Sequence, residues 1–216
     1  MTFRTSGLDV SRETSERLAI YFDLLLQWNK RINLIGRGTI ADIRDRHMAD
    51  SLQLRPFLRA REEAVDLGSG AGFPGVVIAM MLAEQGGGSV TMIEATAKKC
   101  AFLREVVRQT DLNSTDFSVT ILNGRIEQAF LNARVATLIT ARALASLDML
   151  FEMCADAITG ETRALFHKGE RFQEEISAAQ KRWRFEHEAH RSAVNQQSVI
   201  LEITQLRRRS MDEQAT

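Results

Sequence analysis

The residues best suited to chemistry cluster in one run, Val65-Asp66-Leu67-Gly68-Ser69-Gly70-Ala71-Gly72-Phe73-Pro74-Gly75. An apolar segment ends in the acid Asp66. Four glycines, Gly68, Gly70, Gly72 and Gly75, then fall within eight residues, and the apolar run Val76 to Leu82 follows directly. Strand, glycine turn and helix form the layout of a site for a nucleotide-type ligand. Glycines let the backbone turn sharply and let a ligand approach without meeting a Cβ. The new helix presents free N–H groups at its start.

The run can be read in two registers. Gly70-Ala71-Gly72-Phe73-Pro74-Gly75 spells G-x-G-x-x-G, the dinucleotide fingerprint. Two residues earlier, Asp66-x-Gly68-x-Gly70-x-Gly72 spells the acid-x-G-x-G-x-G pattern typical of S-adenosylmethionine (SAM) methyltransferases. A dinucleotide strand usually runs apolar straight into its glycines. Here Asp66 precedes Gly68 by two, where a cationic methionine amine could use it. The second register is therefore preferred.

The elements that must position this run are legible as alternating segments. Helical periodicity covers Ser11 to about Lys30, with Leu18, Tyr21, Phe22, Leu25, Leu26 and Trp28 largely on one face, and Ser11 as N-cap. Gly36-Arg37-Gly38-Thr39 is a break, and a second helical stretch runs from about Ile40 to Leu58, interrupted near Pro56. Strands are expected at Ala64–Leu67, Val90–Ile93, Ser118–Leu122, Val135–Thr140, Thr162–His167, Arg184–Glu188 and Val199–Gln205. Helices are expected at Pro74–Leu82, Lys98–Thr110, Leu147–Ile158 and Gly169 to about Lys181. Regular alternation predicts a parallel sheet with helices on both faces. The last two strands have no helix between them and form an antiparallel hairpin. The expected fold class is α/β, Rossmann-like: a class I SAM-dependent methyltransferase with a seven-stranded, mostly parallel sheet and an N-terminal helical extension. Residues 1–62 would be the extension, 63–209 the SAM-binding domain and 210–216 a disordered tail.

Ligands in such sheets bind beyond the carboxyl ends of the strands. Glu94 ends the second strand, 28 residues after Asp66, where a carboxylate can accept both ribose hydroxyls of an adenosine. Gly124-Arg125-Ile126-Glu127 follows the third strand. Ile126 could pack on an adenine ring and Glu127 could bond its amine; equally, Arg125 and Glu127 could be a solvated pair. Arg142, in Ala141-Arg142-Ala143 after the fourth strand, supplies a fixed cation where cofactor and acceptor meet; the alternative is a structural arginine capping a helix or pairing Asp148. No D/N-P-P-Y or Pro-Cys motif stands there, which argues against exocyclic-amine and cytosine-C5 methylation. His47 and Asp50, three apart on a helix, read as structural hydrogen-bonding or capping groups. His187 and His190 are three apart on a strand, so they face opposite ways and make no metal site; no metal is expected.

Composition bounds the rest. The chain has 216 residues, 44% of them apolar, and a formal net charge of zero. No global basic field advertises nucleic acid, although Lys30-Arg31, Arg37, Arg44, Arg46, Arg55, Arg59, Arg61 and Arg207-Arg208-Arg209 form modest local clusters. Cys100 and Cys154 have no zinc spacing and fit a reduced cytoplasmic protein. No apolar run approaches about 20 residues, so neither a signal peptide nor a membrane span is expected.

In order along the chain, several stretches resemble the RsmG (GidB) family of bacterial small-subunit rRNA guanine-N7 methyltransferases. They are Leu26-Gln27-Trp28-Asn29-Lys30 with Asn33-Leu34, Arg46-His47-Met48-Ala49-Asp50-Ser51, Val65 to Gly75, and Lys98-Lys99 with Phe102-Leu103-Arg104. Gly124-Arg125-Ile126-Glu127, Thr140-Ala141-Arg142-Ala143 and Lys168-Gly169 complete the set. The resemblance implies SAM as cofactor, and 16S rRNA in the small ribosomal subunit as partner. It implies methylation of N7 of one guanine in the 530 loop. Carried over by motif, SAM contacts fall on Gly68, Phe73, Ile126, Glu127 and Arg142. With Asp66, Gly70 and Glu94 these complete the candidate cofactor site. A monomer is expected. The family usually has Leu where Phe73 stands and Asp where Glu94 stands, and its G-E-R-H before the last strand is here Val194-Asn195-Gln196-Gln197. Two rival readings are an NAD-linked oxidoreductase and a non-catalytic RNA- or ribosome-binding protein on the same fold.

Overall fold

The computed structural model describes residues 10–36, 43–129 and 136–210. The expected break at Arg37-Gly38-Thr39, the start of the second helical stretch at Ile40, the residue Val135 and nearly all of the tail lie outside the described residues.

Helix α1 (Arg12–Asn29) starts at Ser11, whose Oγ accepts from the Thr14 N–H at 3.1 Å, with Glu13 in the first turn where the helix dipole favours an acid. Its Leu18, Tyr21 and Leu25 are completely buried, at the three- and four-residue spacing of one helical face. The second helical stretch is not one helix. It is a π-helix at Ile43–Met48, a single α turn α2 (Ala49–Leu52) and a 3₁₀ turn Arg55–Phe57. Pro56 has no N–H to continue an α ladder, and Ser51 Oγ bonds back to the His47 carbonyl at 2.9 Å. π-Bulges are frequent at functional sites, and this one carries His47.

The sheet has seven strands in the order β3-β2-β1-β4-β5-β7-β6. Strands β1 (Glu63–Leu67), β2 (Gly88–Glu94), β3 (Phe117–Asn123), β4 (Leu138–Arg142) and β5 (Arg163–Lys168) are parallel; β6 (Trp183–Arg191) and β7 (Val199–Arg208) form the antiparallel hairpin. Chain order reverses between β1 and β4, so the switch point lies over the glycine run. Helices α3 (Gly75–Glu84), α4 (Ala97–Gln109), α5 (Ile126–Ala129), α6 (Leu147–Cys154) and α7 (Phe172–Ala179) make the crossovers. The expected helix Leu147–Ile158 stops at Cys154 and tightens to a 3₁₀ turn, and the expected Gly169 start moves to Phe172. Both hairpin strands are longer than expected. Strand β6 is a polar edge with almost no apolar alternation, so its extent is set by pairing with β7 and by a bulge between Arg184 and Glu186.

Helix α3 is apolar all round, and Val76 to Leu82 are at most 1% exposed. Such a helix must be covered on both sides. The sheet covers one side and α1 the other, so α1 shares a hydrophobic cluster with α3, β1 and β2. An ion-pair network pins the arrangement. Glu84 accepts two bonds from Arg55, at 3.0 and 3.2 Å, one from Thr14 Oγ1 at 2.8 Å and one from the Ser11 N–H. Among the described residues no helix is long and apolar enough to cross a membrane.

Candidate functional site

The carboxyl ends of β1, β2, β3 and β4 open on a cavity of about 530 Å³, within the range of small-molecule sites. Gly68, Gly70 and Phe73 of the glycine run line it, with Glu94, Ile126, Glu127 and Arg142 on the other walls. Seven of the eight predicted cofactor residues therefore meet around one space, although they span 75 positions of the chain.

The loop turns through three left-handed glycines, at φ +63° for Gly68, +56° for Gly70 and +100° for Gly72. Only glycine adopts these routinely. A Cβ on Gly68 would stand 2.6 Å from Leu144 Cδ1, the tip of a partly exposed side chain that can move, so the positive φ is the stronger demand for glycine there. Glu94 ends β2 with both oxygens engaged by backbone: Oε2 accepts the Gly70 N–H at 2.9 Å and Oε1 the Thr96 N–H at 2.7 Å. It braces the loop while keeping lone pairs toward the cavity. Ile126 is buried at the start of α5, whereas Glu127 is half exposed and 3.6 Å from Arg125, the solvated pair that the sequence allowed.

Asp66 departs from expectation. Its side chain is 1% exposed and is not part of the cavity wall. It turns beneath the loop, where Oδ1 accepts from Thr140 Oγ1 at 2.8 Å and Oδ2 lies against Gly75. A Cβ on Gly75 would come within 2.6 Å of that oxygen. Asp66 thus supports the first turn of α3 from below, and the carboxylates on the cavity wall are those of Glu94 and Glu127. Burial raises the Asp66 pKa to about 6, against the opposing effect of the Thr140 bond.

Phe73 joins the loop to the helical extension. Its ring lies 5.3 Å from Tyr21 and 5.5 Å from the His47 imidazole, nearly parallel to the latter, and the Arg142 guanidinium sits over it at 5.3 Å. The larger ring at this position therefore makes a floor for Arg142, a cation–π contact that a leucine would not provide. Tyr21 Oη donates to the Ala71 carbonyl at 2.6 Å and is completely buried. Burial holds its phenol well above the ordinary pKa, so it remains the donor. Tyr21→Phe is expected to leave that carbonyl unpaired, to cost about 1–2 kcal/mol in denaturant unfolding, and to weaken cofactor binding measured by calorimetry.

Arg142 does not pair Asp148, which instead accepts from Arg182 and the Trp183 indole. Its partners come from the extension: Nη1 is 3.4 Å from Asp50 Oδ2 and Nη2 is 2.5 Å from His47 Nδ1. A guanidinium only donates, so His47 Nδ1 carries no proton. Beside them, His167 Nε2 is 2.8 Å from the Asp50 carbonyl, and a carbonyl only accepts, so that nitrogen is protonated while Nδ1 is sealed from solvent. His47 and Asp50 of the segment Arg46–Ser51 make the hydrogen bonds that the sequence suggested, and what they hold is Arg142, to which no local pattern pointed. On the far side, Lys168 Nζ donates to the Ala145 carbonyl and to Glu175, and Glu175 accepts the Leu147 N–H, which fixes the segment after Arg142. Away from the cavity, Glu188, His190 and Glu202 come together on the hairpin, a cross-strand grouping that spacing along one strand could not reveal.

Burial lowers the His167 pKa to about 4, opposite in sign to Asp66. A histidine depressed in the fold loses stability as pH falls from about 6.5 toward 4, because the unfolded chain takes the proton first. A carboxyl raised in the fold gains stability as pH falls from about 6 toward 3.8. Each effect is about 3 kcal/mol, and they oppose one another across nearly the same window. Asp66→Asn should therefore lose about 2 kcal/mol more stability than the parent between pH 6 and pH 4 in chemical denaturation. His167→Gln should shift the other way. Parallel curves for parent and both variants would contradict these assignments.

The residues fit an adenosine-bearing cofactor: a glycine loop, a strand-end carboxylate, an apolar wall and a cation. Comparison with solved structures gives the same fold. A mutant of MtNAS in complex with S-adenosylmethionine matches with a TM-score of 0.59 at 14% identity, over 88% of this chain and 74% of that one. A precorrin-6y C5,15-methyltransferase from Geobacter metallireducens matches with a TM-score of 0.53 at 10% identity, over 80% and 90%. Sequence similarity is far closer to proteins named ribosomal RNA small subunit methyltransferase G. That of Rhizobium johnstonii is 44% identical over 205 residues, 94% of this chain and 98% of its own. That of Brucella ovis is 41% identical over 201 residues, 93% and 92%. These relatives leave no support for the dinucleotide register of Gly70–Gly75 or for an oxidoreductase. With the family description matching residues 14–204, the chain belongs to the rRNA small subunit methyltransferase G (GidB) family.

Proposed function

We propose that this chain methylates N7 of one guanine in the 530 loop of 16S rRNA, with S-adenosylmethionine held in the cavity over the glycine run. Gly68, Gly70, Glu94 and Ile126 would hold the adenosine part, and Arg142 would face the methionine end and the acceptor. Bound SAM supplies an electrophilic methyl group on a sulfonium.

The state of the two imidazoles beside Arg142 carries the reading. His47 Nδ1 is occupied by Arg142 and His167 Nδ1 is sealed in the interior, so neither is placed to take a proton from an acceptor. Guanine N7 has an in-plane lone pair and no proton to lose, so it needs no general base. Positioning and electrostatics then supply the rate enhancement. Arg142 orients the acceptor, Phe73 and His47 hold Arg142 in place, and the Lys168–Glu175 pair keeps the adjoining segment closed. A loop base can be unstacked more cheaply than a paired one. Small subunits rebuilt with 7-deazaguanosine at the target, which has C–H in place of N7, should accept no methyl group. Methylation of that substrate at another atom of the base would contradict the proposal.

A further inference from the structure

The Arg142–Asp50 pair has hydrogen-bonding capacity left over. A guanidinium carries five N–H groups in a fixed fork, and the contacts to Asp50 and His47 use two of them. The Asp50 carboxylate accepts from Gln53 Nε2 at 3.2 Å and makes the 3.4 Å contact to Arg142, which leaves lone pairs on both oxygens. Each side chain keeps a small open face, 15% for Arg142 and 16% for Asp50. Burial raises the Asp50 pKa, against the lowering effect of Arg142, Arg46 and Gln53. Arg142 lines the cavity, whereas Asp50 stands outside its wall.

A donor beside an acceptor complements the Watson–Crick edge of guanine, where O6 accepts and N1–H and the N2 amine donate. We propose that Arg142 and Asp50 together read this edge of the acceptor base, Arg142 donating to O6 and Asp50 accepting from N1–H and N2–H. The proposal rests on the guanine-N7 reading above. O6 lies between N1 and N7 on the purine rim. A base with O6 at Arg142 and N1 at Asp50 therefore turns N7 to the other side of Arg142, which is the cavity. Adenine in the same pose sets its N6 amine against the guanidinium and its N1 lone pair against the carboxylate. A site built for hydrogen bonds strongly rejects a base that leaves them unpaired. Asp50 is thus a specificity-determining residue contributed by the helical extension.

The test crosses a protein change with an RNA change. Single-turnover methylation of small subunits is measured for parent and Asp50→Asn, with guanosine or inosine at the target. Inosine keeps O6, N1–H and N7 but lacks the N2 amine. The parent should methylate inosine about ten-fold more slowly. Asp50→Asn should methylate guanosine about a hundred-fold more slowly, and its guanosine and inosine rates should be nearly equal. SAM affinity measured by calorimetry should stay within about two-fold of the parent, which also shows that the variant is folded. If Asp50 only positioned Arg142, the ten-fold inosine penalty would persist in the variant, and that result overturns the proposal while leaving the N7 reading intact. Failure of the parent to methylate guanine N7 would instead remove the reading, and this proposal with it.

Discussion

Arg142→Ala is expected to lower methyl transfer at saturating SAM by about a hundred-fold or more, the size seen when one preorganised donor is removed from a reacting centre. The guanidinium is held over Phe73, against His47 Nδ1 and beside Asp50, and so does not have to be ordered when the acceptor arrives. The loss should fall on kcat more than on SAM affinity, because the adenosine part is proposed to rest on Gly68, Gly70, Glu94 and Ile126, which also line the cavity. Arg142→Lys should recover only a small part. A lysine keeps the charge but has neither the planar face that rests on Phe73 nor the fork that meets two partners at once. Single-turnover rates and calorimetry on the same preparations separate these effects. Unchanged rate and unchanged affinity in Arg142→Ala would remove Arg142 from the site.

The second large effect is at Gly72. Its φ of +100° is strained for any residue with a Cβ. That Cβ would also stand 2.6 Å from Val76 Cγ2 and 3.0 Å from Tyr21 Oη. The first neighbour, Val76, is completely buried on α3, and the second is fixed by its bond to Ala71, so neither can give way. Backbone strain and overpacking together give an expected cost of about 3 kcal/mol for Gly72→Ala in denaturant unfolding. SAM binding should fall with it, since the Tyr21–Ala71 bond and the loop move together. A variant with parental stability would show that the extension does not clamp the loop.

The loop and the strand ends were legible in the sequence because both signals are local. Glycines punctuate the chain, and parallel strands read as short apolar runs whose last residues face the ligand. Membership of Glu94, Ile126 and Arg142 in one site followed from topology alone. The inward turn of Asp66 was not legible. Strand β1 is buried on both faces, so alternation gives no sign of which way an acid in it points. Nor was the support of Arg142, whose partners lie 92 and 95 residues away along the chain, Asp50 on the single turn α2 and His47 on a π-helix that no simple periodicity announces. The Phe73 departure became intelligible only when its ring was seen beneath a cation.

Methyl transfer from SAM to guanine N7 in small-subunit rRNA is the activity proposed for this cavity. Its most direct test is transfer of tritium from methyl-labelled SAM to unmodified small subunits by the full chain, followed by nuclease digestion and separation of the nucleosides. About one label per 16S rRNA is expected, all of it in 7-methylguanosine from a single position in the 530 loop. No transfer, or label in any other nucleoside or position, would contradict it.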